Sequence, residues 1–222
     1  MIKIVALVSA YNEGEQIAKT VNSLGKIPDL TRIVVIDDGS VDDTSEKARE
    51  AGANVIRLEK NLGKGGALSK VVKELDYDVL LLVDADLGDS AVEARKIIKP
   101  LIDGDADMAI ADFPKPKKKG GFGLVKGLAR WAIERIAGAR MNEPLSGQRA
   151  VKKSVIDSVG SFGNGFGVEV GMTIDVLRRG FKVIEVPTLM SHAETGRDIK
   201  GFIHRGHQFL DVLKVILNRL RD

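Results

Sequence analysis

Two aspartates, Asp84 and Asp86, follow directly after the apolar run Val79–Val83. A run of this kind is typical of a strand buried in a parallel sheet, and such strands end at the sheet edge where ligands bind. Residues two positions apart on extended backbone point to the same side, so both carboxylates can hold one divalent cation. Oxygen ligands favour Mg²⁺ or Mn²⁺, which are commonly shared with substrate phosphates. We therefore expect a metal and phosphate site after this strand.

Three further polar segments, Ser9–Glu13, Asp37–Ser40 and Asn61–Leu68, stand at the ends of other predicted strands. In an open α/β sheet, ligands collect at these ends. Asp38 has two interpretations: it accepts a hydrogen bond from the imide N–H of a uracil or guanine base, or it caps a turn and the helix that follows. Lys64, in a glycine-rich segment that opens a helix, either meets phosphate oxygens or is a solvated lysine in a plain turn.

Two polar residues of the second half are also candidates for chemistry. Glu169 stands in the otherwise small and apolar segment 165–171. Burial there would raise the pKa of its carboxyl, as a general base requires, whereas capping of a helix N-terminus is the alternative. His192 follows the last predicted strand and is a candidate third metal ligand. It could equally be an ion-paired surface residue or a packed imidazole.

Strands and helices alternate along the first half of the chain, and this order predicts how the polar segments are positioned. This alternation favours an α/β fold, in which a doubly wound, mostly parallel sheet carries helices on both faces. The predicted strands are Lys3–Ser9, Arg32–Asp37, Asn54–Leu58, Val79–Asp84, Met108–Ala111 and Lys182–Val186, and the predicted helices are Glu15–Leu24, Thr44–Ala51, Gly65–Leu75, Ala91–Ile102, Leu124–Ala137, Val168–Arg179 and about 201–220.

The second half also contains segments suited to surfaces. A loop over 113–121 contains Lys115, Lys117, Lys118 and Lys119, which are either solvated or bind an anionic lipid surface or an acidic acceptor. Trp131, in the helix after this loop, packs in the core or faces a membrane. The basic amphipathic C-terminal helix could bury its apolar stripe against the sheet, a second subunit or lipid, so a homodimer is one hypothesis.

Composition excludes several classes of protein. The 222 residues contain 34 Lys and Arg against 31 Asp and Glu, a net charge of +3, and no Cys. Such a mild and interspersed excess of positive charge argues against nucleic-acid binding, and the lack of Cys excludes disulfides and thiolate chemistry. The apolar run at 2–8 is too short for a signal peptide, and no run of about 18 apolar residues could span a membrane. We expect a cytoplasmic protein, with peripheral contact to the inner face of the membrane as an option.

The motifs in their order and spacing resemble those of family 2 glycosyltransferases with the GT-A fold. The resemblance covers residues 1 to about 112 tightly and is carried by Ser9–Glu13, Asp37–Ser40, Asn61–Leu68 and Val83–Leu87. The second half of the chain narrows the resemblance to particular groups within this family. Here Glu143–Arg149, 165–175 and His192 are similar to glucosyl-3-phosphoglycerate synthases, and Ser146-Gly147-x-Arg149 is more distantly similar to dolichyl-phosphate mannose synthases.

This resemblance implies a GT-A, Rossmann-like domain over 1–222, with a nucleotide-sugar-binding half (1–112) and an acceptor-binding half (113–222). It implies transfer of a sugar, with glucose expected, from a nucleoside diphosphate sugar, with UDP-glucose expected, to a phosphate-bearing acceptor such as 3-phosphoglycerate. Mg²⁺ or Mn²⁺ is the implied cofactor. The expected donor contacts are Ser9, Tyr11, Glu13, Asp37, Asp38, Ser40, Lys64, Asp84 and Ala85; the metal ligands are Asp84, Asp86 and His192; the acceptor contacts are Lys126, Gly147 and Arg149; and the catalytic residues are Asp86 and Glu169.

The expected chemistry centres on the departing diphosphate. A metal held by Asp86, with Lys64 beside the same oxygens, would stabilise the charge that develops there. If the reaction inverts configuration, Glu169 is the expected base for the acceptor hydroxyl. The synthases that the chain resembles instead retain configuration, with the departing phosphate helping to deprotonate the acceptor, so the stereochemistry stays open.

One segment departs from the synthase pattern. The synthases carry Arg-x-Thr in the loop after the fifth strand, where it grips phosphoglycerate; aligned through the glycines, Leu124 and Lys126 stand at those places. Either the alignment shifts by a few residues or the acceptor differs. The alternative is a polyprenyl-phosphate glycosyltransferase at the membrane surface. A nucleotidyltransferase, which carries a glycine-rich loop with Arg where this chain has Ser9–Glu13, and a non-catalytic nucleotide-sugar-binding protein are the rivals.

Overall fold

The computed structural model describes residues 1–114, 123–160, 162, 167–192 and 212–219. Lys115, Lys117, Lys118, Lys119 and residues 201–211 and 220 of the expected C-terminal helix lie outside the described residues. Within these ranges the strands are β1 Ile4–Ala10, β2 Arg32–Asp37, β3 Asn54–Arg57, β4 Val79–Asp84, β5 Met108–Asp112, β6 Arg149–Lys152 and β7 Val183–Pro187. The helices are α1 Ile17–Leu24, α2 Thr44–Glu50, α3 Gly63–Val71, α4 Arg95–Ile102, α5 Gly123–Ala137, α6 Lys153–Val159, α7 Val168–Arg178 and α8 over 212–219.

The seven strands form one mixed sheet in the order β3-β2-β1-β4-β6-β5-β7. β1 lies between β2 and β4 and runs parallel to both, with Ser9 opposite Asp84 and Ala10 opposite Asp37. The chain proceeds from β1 towards β3 on one side and resumes with β4 on the other side. A crevice therefore opens beyond the carboxyl end of β1, at the point where the strand order reverses, and this is where such sheets bind ligands.

Helices cover both faces of the sheet, as the alternation of elements predicted. Because successive strand residues point to opposite faces, Val5 and Leu7 pack into one core, whereas Ile4, Ala6 and Val8 pack into the other. The first core contains residues of α3, α5, α7 and α8, and the second contains residues of α1, α2 and α4. A strand that is covered on both faces must be apolar at almost every position, and β1 and β4 show that pattern.

Two elements were not predicted. β6 pairs antiparallel to β4 and to β5, and α6 follows it without a loop. β6 has only four residues, with Arg149 and Lys152 at its ends, so it lacks the apolar run that identified the parallel strands. Its register places Arg149 opposite Leu82. The segment just before it, Pro144–Gln148, consequently lies at the carboxyl end of β4, beside Asp84.

Several helix boundaries also differ from the prediction; α3, for example, ends at Val71 and is followed by a 3₁₀ helix over Val72–Glu74. The segment expected to be helical from Ala91 is a 3₁₀ helix over Gly88–Ala94, and α4 begins only at Arg95. In the part of the chain that the structure describes, no helix is both long enough and apolar enough to cross a membrane.

Candidate active site

A cavity of about 770 Å³ lies at the carboxyl ends of β1, β2 and β4. Its volume is in the range typical of small-molecule sites. The polar segments that follow these strands contribute to its wall, and so do parts of α5, α7 and α8. Among the expected site residues, the cavity is lined by Ser9, Tyr11, Glu13, Asp38, Lys64, Asp84, Ala85, Asp86, Lys126, Gly147, Glu169 and His192.

Asp84, Asp86 and His192 form a candidate metal site in this wall. Each offers one ligand atom, and these three atoms lie within 4.8 Å of one another. The ring of His192 reaches Asp86 through Nδ1 at 2.9 Å and stacks on Phe113, with the ring centroids 5.2 Å apart. Two carboxylates and one imidazole form a donor set that fits Mn²⁺ or Mg²⁺. The residues present therefore fit the divalent cation that the sequence implied.

The charge of His192 depends on the same carboxylates. Burial alone would lower the pKa of the imidazole, but the hydrogen bond to Asp86 and the charges of Asp86 and Asp84 outweigh it, so the pKa is raised. Neutral imidazole is the form that ligates a metal. A cation at this site must therefore compete with a proton on His192.

Lys64 is held by two carboxylates in the cavity wall. Its Nζ lies 2.7 Å from Asp84 Oδ1 and 3.0 Å from Glu169 Oε1. The other oxygen of Asp84 accepts a hydrogen bond from Gln148 Nε2 at 2.9 Å. Burial opposes the charge on Lys64, yet Asp84 and Glu169 raise the pKa of the ammonium above its usual value. Burial likewise opposes the charge on Asp84, and Lys64 nevertheless lowers the pKa of that carboxyl. Lys64 is thus a permanent cation at the end of β4.

Gly147 permits this arrangement. A Cβ at this position would lie inside 3.0 Å of Lys64 Nζ and 3.0 Å from Asp84 Oδ2, closer than side-chain atoms normally approach. The expectation from the sequence was that Gly147 contacts the acceptor. The structure places it in the cavity wall and also gives it this second role, which is to leave room for Lys64.

Tyr11, Glu13 and Asp38 also line the cavity. The ring of Tyr11 is 47% exposed and so is available to stack on a planar base. One oxygen of Asp38 accepts the Leu62 N–H at 2.8 Å, and the residue also lines the cavity. Both interpretations of Asp38, turn stabilisation and ligand contact, are therefore compatible with its position.

Glu13 has an unusual charge state. Burial, followed by the charges of Asp86 and Asp84, raises the pKa of its carboxyl to about 7. Near neutral pH a substantial fraction of Glu13 is therefore protonated. It can then donate a hydrogen bond as well as accept one, which suits contact with a hydroxyl.

Asp37 and Ser40 were expected to contact the donor. In the structure both side chains are buried and form hydrogen bonds within the chain. Asp37 is fully buried; it accepts hydrogen bonds from the Ser40 N–H at 2.8 Å and from the Ser45 hydroxyl. Ser40 is 1% exposed, and its hydroxyl accepts the Asn12 N–H at 2.9 Å. Neither residue lines the cavity. They stabilise the turn after β2 that presents Asp38.

Arg149 was expected to bind the acceptor, and the structure places it buried outside the cavity lining. The residue is 1% exposed and does not line the cavity. Its guanidinium donates to the carbonyls of Ser146 and Pro144 and to Thr173 Oγ1. Burial lowers the pKa of Arg149 to about 10, so the group stays charged at neutral pH. Arg149 does not face the cavity. Its hydrogen bonds fix the segment Pro144–Gln148, part of which lines the cavity.

A model of the glycosyl transferase family 2 matches residues 5–148, which include β1 to β5 and most of the cavity wall described above. The chain belongs to glycosyl transferase family 2. It is therefore a glycosyltransferase, and the expectations of a GT-A fold and of enzymatic activity are confirmed.

Curated relatives of this glycosyltransferase differ in what their names say they act on. Glycosyltransferase AglJ of Haloferax volcanii is 30% identical, and the match covers 88% of this chain and 65% of AglJ. Glucosyl-3-phosphoglycerate synthase of Mycobacterium tuberculosis is 27% identical, with 97% of this chain and 73% of the synthase covered. Dolichol-phosphate mannosyltransferase of Pyrococcus furiosus is 30% identical, with 84% and 56% covered. The chain thus spans between about half and three quarters of the length of these relatives.

Solved structures give the same architecture. The Mycobacterium tuberculosis glucosyl-3-phosphoglycerate synthase in complex with phosphoglyceric acid superposes with a TM-score of 0.82, at 25% identity, over 98% of this chain and 80% of that one. The same synthase has also been solved with Mn²⁺, UDP-glucose and phosphoglyceric acid, and that structure gives a TM-score of 0.81 at 24% identity.

Several residues of this glycosyltransferase site were not among the expected ones. Gln148 orients Asp84, Phe113 stacks on His192, and Glu143 forms an ion pair with Lys126. The sequence alone does not identify these three residues as part of the site, because each acts on a neighbouring side chain that only the fold brings close. Ser146 belongs to a motif that carries the resemblance, but no role was expected for it. It lines the cavity, and its hydroxyl is buried.

The C-terminal helix α8 also contributes to the site. Val212 is fully buried and lines the cavity, and Ile216 packs into the core beside α7. Arg219 anchors the helix through two hydrogen bonds to Asp175 of α7. Gly171 leaves the space that the guanidinium occupies, since a Cβ there would lie 2.9 Å from an Arg219 nitrogen. The described part of this helix therefore packs within the chain through Val212 and Ile216, while Leu217 of its apolar stripe is 49% exposed.

Proposed function

We propose that this glycosyltransferase moves a sugar, with glucose as the expected one, from a nucleoside diphosphate sugar to a phosphate-bearing acceptor in a reaction that depends on Mg²⁺ or Mn²⁺. UDP-glucose is the proposed donor, and 3-phosphoglycerate is the proposed example of the acceptor. The observation that carries this proposal is the convergence of Asp84, Asp86 and His192 with Lys64 in one cavity at the carboxyl ends of the central strands.

The donor end of the proposal follows from charge and shape. Asp86 and His192, with Asp84 beside them, would hold the cation, which when bound would neutralise charge on the leaving diphosphate. Lys64 lies beside the same residues and would bind diphosphate oxygens directly. Tyr11, Glu13 and Asp38 line the same cavity and would contact the nucleoside. The synthase of known structure, which binds UDP-glucose and Mn²⁺, supports this assignment.

The acceptor end lies towards α5 and α7. Lys126 of α5 and Glu169 of α7 line this part of the cavity. Lys126 would bind the acceptor phosphate, and to do so it must exchange its present partner Glu143. Glu169, which is 13% exposed at its side chain, would face the acceptor hydroxyl. Its ion pair with Lys64 keeps the carboxylate ready to accept a hydrogen bond in the bound complex.

A lipid phosphate is the second candidate acceptor, and one observation favours it. Leu124 and Trp131 of α5 are 83% and 52% exposed, and they lie two helical turns apart on the same side. The same helix lines the cavity through Val125 and Lys126. A polyprenyl phosphate bound at the cavity would therefore leave its chain near an exposed apolar surface. The relation to dolichol-phosphate mannosyltransferase is consistent with this acceptor.

A paired screen of donors and acceptors tests the proposal. UDP-glucose and GDP-mannose are each offered with Mn²⁺ or Mg²⁺, together with 3-phosphoglycerate or a short-chain polyprenyl phosphate. We expect transfer from UDP-glucose to one of these acceptors and none with EDTA. If uridine nucleotides bind but no sugar is transferred to either acceptor, the chain is a nucleotide-sugar-binding protein for the compounds tested and the proposal is wrong.

Asp86→Ala tests the metal site within the same assay. The variant removes one cation ligand while leaving the buried strand before it intact, so we expect turnover to fall at least 10²-fold with an unchanged thermal unfolding curve. Asp89→Ala is the matched control, because Asp89 is an exposed carboxylate three residues along the chain. Full activity of Asp86→Ala would remove the cation from the mechanism.

A further inference from the structure

His192 reaches the candidate metal site from a distant strand. It follows β7, and both β6 and β5 lie between β7 and β4, the strand that ends at Asp84. Neighbouring strands are roughly 4.8 Å apart, so β4 and β7 are separated by roughly 14 Å. The segment from Thr188 to His192 spans at most roughly 17 Å when extended. It must therefore run back across the end of the sheet, and strand pairing, which ends at Pro187, does not hold it there.

The middle of this segment is held by burial and by Glu93. Met190 is 1% exposed and packs into the core that contains α1, α2 and α4. The side chain of Leu189 is 70% exposed, but its N–H donates to Glu93 Oε2 at 2.9 Å. Lys96 donates to the same oxygen at 2.6 Å, and together with the Leu189 N–H it lowers the pKa of the Glu93 carboxyl. Glu93 is therefore an ionised acceptor at neutral pH.

Ser90 connects the two chain segments that carry the metal ligands. Its hydroxyl donates to the Leu87 carbonyl at 2.7 Å, with the Ser191 carbonyl as a second acceptor at 3.1 Å, and it accepts the Ser191 N–H at 3.1 Å. Leu87 directly follows Asp86. Ser191 directly precedes His192. One hydroxyl thus links the chain neighbours of two ligands whose side chains meet at 2.9 Å.

The 3₁₀ helix over Gly88–Ala94, which contains both anchoring residues, is itself fixed by α1. Thr20 Oγ1 donates to the Ala85 carbonyl at 2.6 Å, and Ser23 Oγ donates to the Asp89 carbonyl at 2.7 Å. Both donors are buried in the core. A metal ligand that is tied to such a fixed element is already in place when the cation arrives, so less freedom is lost on binding.

We propose that Ser90 and Glu93 are positioning residues that hold His192 at the metal site and thereby raise the affinity of the site for Mn²⁺ or Mg²⁺. Neither residue lines the cavity, so neither would contact the donor or the acceptor. Hydrogen bonds that orient a metal ligand contribute to metal affinity, because a ligand that is not held must be ordered when the cation binds. The inference rests on the proposed function, since it needs a cation at Asp86 and His192.

Mn²⁺ binding to Ser90→Ala tests this role without turnover. The affinity is measured from the electron paramagnetic resonance signal of free Mn²⁺, in the presence of UDP, for the wild type and for the variant. We expect the variant to bind Mn²⁺ about three- to tenfold more weakly, which is the range that one lost hydrogen bond produces. Ser90→Thr keeps the hydroxyl and should recover the affinity. Ser154→Ala is the matched control, because Ser154 is exposed on α6 at the other end of β4.

A double-mutant cycle with His192→Ala shows whether the effect passes through the metal ligand. With the imidazole removed, Ser90→Ala has no ligand to misplace, so it should change the Mn²⁺ affinity by less than about twofold. Glu93→Gln keeps an acceptor for the Leu189 N–H and Glu93→Ala does not, so only the alanine variant should weaken binding. In the metal-free protein, amide exchange at Ser191 should be faster in Ser90→Ala than in the wild type.

The outcomes separate this inference from the proposed function. An equal loss of Mn²⁺ affinity from Ser90→Ala with and without His192, or an unchanged affinity in Ser90→Ala, would overturn the positioning role and leave the proposed function standing. If the wild type binds no Mn²⁺ even with UDP, the proposed metal site is wrong and the inference falls with it.

Discussion

Gly147→Ala is the substitution that most directly tests how the centre of the cavity is organised. Gly147 does not have a positive φ, so its backbone accepts alanine without strain. The new Cβ would lie inside 3.0 Å of Lys64 Nζ, whereas ordinary contacts begin at 3.4 Å. The ammonium must therefore retreat by at least several tenths of an ångström. Its hydrogen bond to Asp84, now 2.7 Å, then lengthens or breaks.

The size of the effect follows from the groups involved. Lys64 and Asp84 are only 29% and 28% exposed at their side chains, so solvent does not fully replace their contact. A hydrogen bond to a charged group of this kind contributes roughly 1.5–3 kcal/mol, which corresponds to a fall in melting temperature of roughly 3–12 °C for a domain of this size. Because Lys64 is also the proposed diphosphate contact, we expect kcat/KM for UDP-glucose to fall about 10²-fold.

A double-mutant cycle assigns the loss to Lys64. Chemical and thermal unfolding are measured for Gly147→Ala, Lys64→Ala and the double variant. With the ammonium removed, the added methyl group has no cation to displace and only its 3.0 Å approach to Asp84 Oδ2 remains, so Gly147→Ala should cost clearly less in that background than in the wild type. Gly127→Ala on α5 is the control, because a Cβ there meets nothing within 4 Å; this variant should be as stable as the wild type or up to about 1 kcal/mol more stable. An equal loss from Gly147→Ala with and without Lys64 would refute the reasoning.

Two further substitutions test the electrostatics and the C-terminal helix. In the folded protein the pKa of Glu13 is raised to about 7 from 4.5, so the folded state keeps a proton that the unfolded chain releases, and stability falls as pH rises from 4.5 to 7. Glu13→Gln should therefore stabilise the metal-free protein by about 2–3 kcal/mol at pH 8 and by little at pH 4.5, as measured by urea unfolding. Arg219→Ala removes the partner of Asp175. Amide hydrogen exchange should become faster in α8 while exchange in the core strands of the sheet stays unchanged. Lys214→Ala, on the exposed side of α8, is the control and should leave exchange in α8 unchanged.

Each of these two expectations has an outcome that contradicts it. A pH-independent effect of Glu13→Gln would mean that its carboxyl is not held protonated by burial and by Asp84 and Asp86. Unchanged exchange in α8 after Arg219→Ala would mean that the apolar contacts of Val212 and Ile216 suffice to hold the helix.

The parallel strands could be predicted from the sequence because their burial has a single cause. β2 and β4 have the predicted bounds, since a strand that is covered on both faces must be apolar throughout and its polar residues mark its end. β6 could not be predicted in this way. Its four residues become a strand because β4 and β5 pair with them on either side, and that pairing is a property of the whole sheet.

The candidate site was predictable where position alone determines direction. Asp84 and Asp86 are two residues apart at a strand end, and they do point to one candidate metal site. Asp37 and Asp38 are adjacent at the end of β2, but Asp37 is buried and bonded to Ser40 and Ser45, whereas Asp38 lines the cavity. Arg149 was an expected acceptor contact because it belongs to a motif on which the resemblance rests. Its burial depends on the antiparallel pairing of β6, which no local pattern revealed.

The charge of the cavity wall explains why these residues must act together. Carboxylates outnumber lysines among its described residues, and the single charge of Lys64 is already shared between two of them. A nucleoside diphosphate entering such a wall would be repelled, because uncompensated like charges interact strongly where solvent is partly excluded. A divalent cation at Asp86 and His192 would reverse the local field and release Lys64 from Asp84 towards the phosphates. The affinity for UDP should therefore be low without Mg²⁺ or Mn²⁺. The acids that line this wall are Glu13, Asp38, Asp84, Asp86, Glu143 and Glu169.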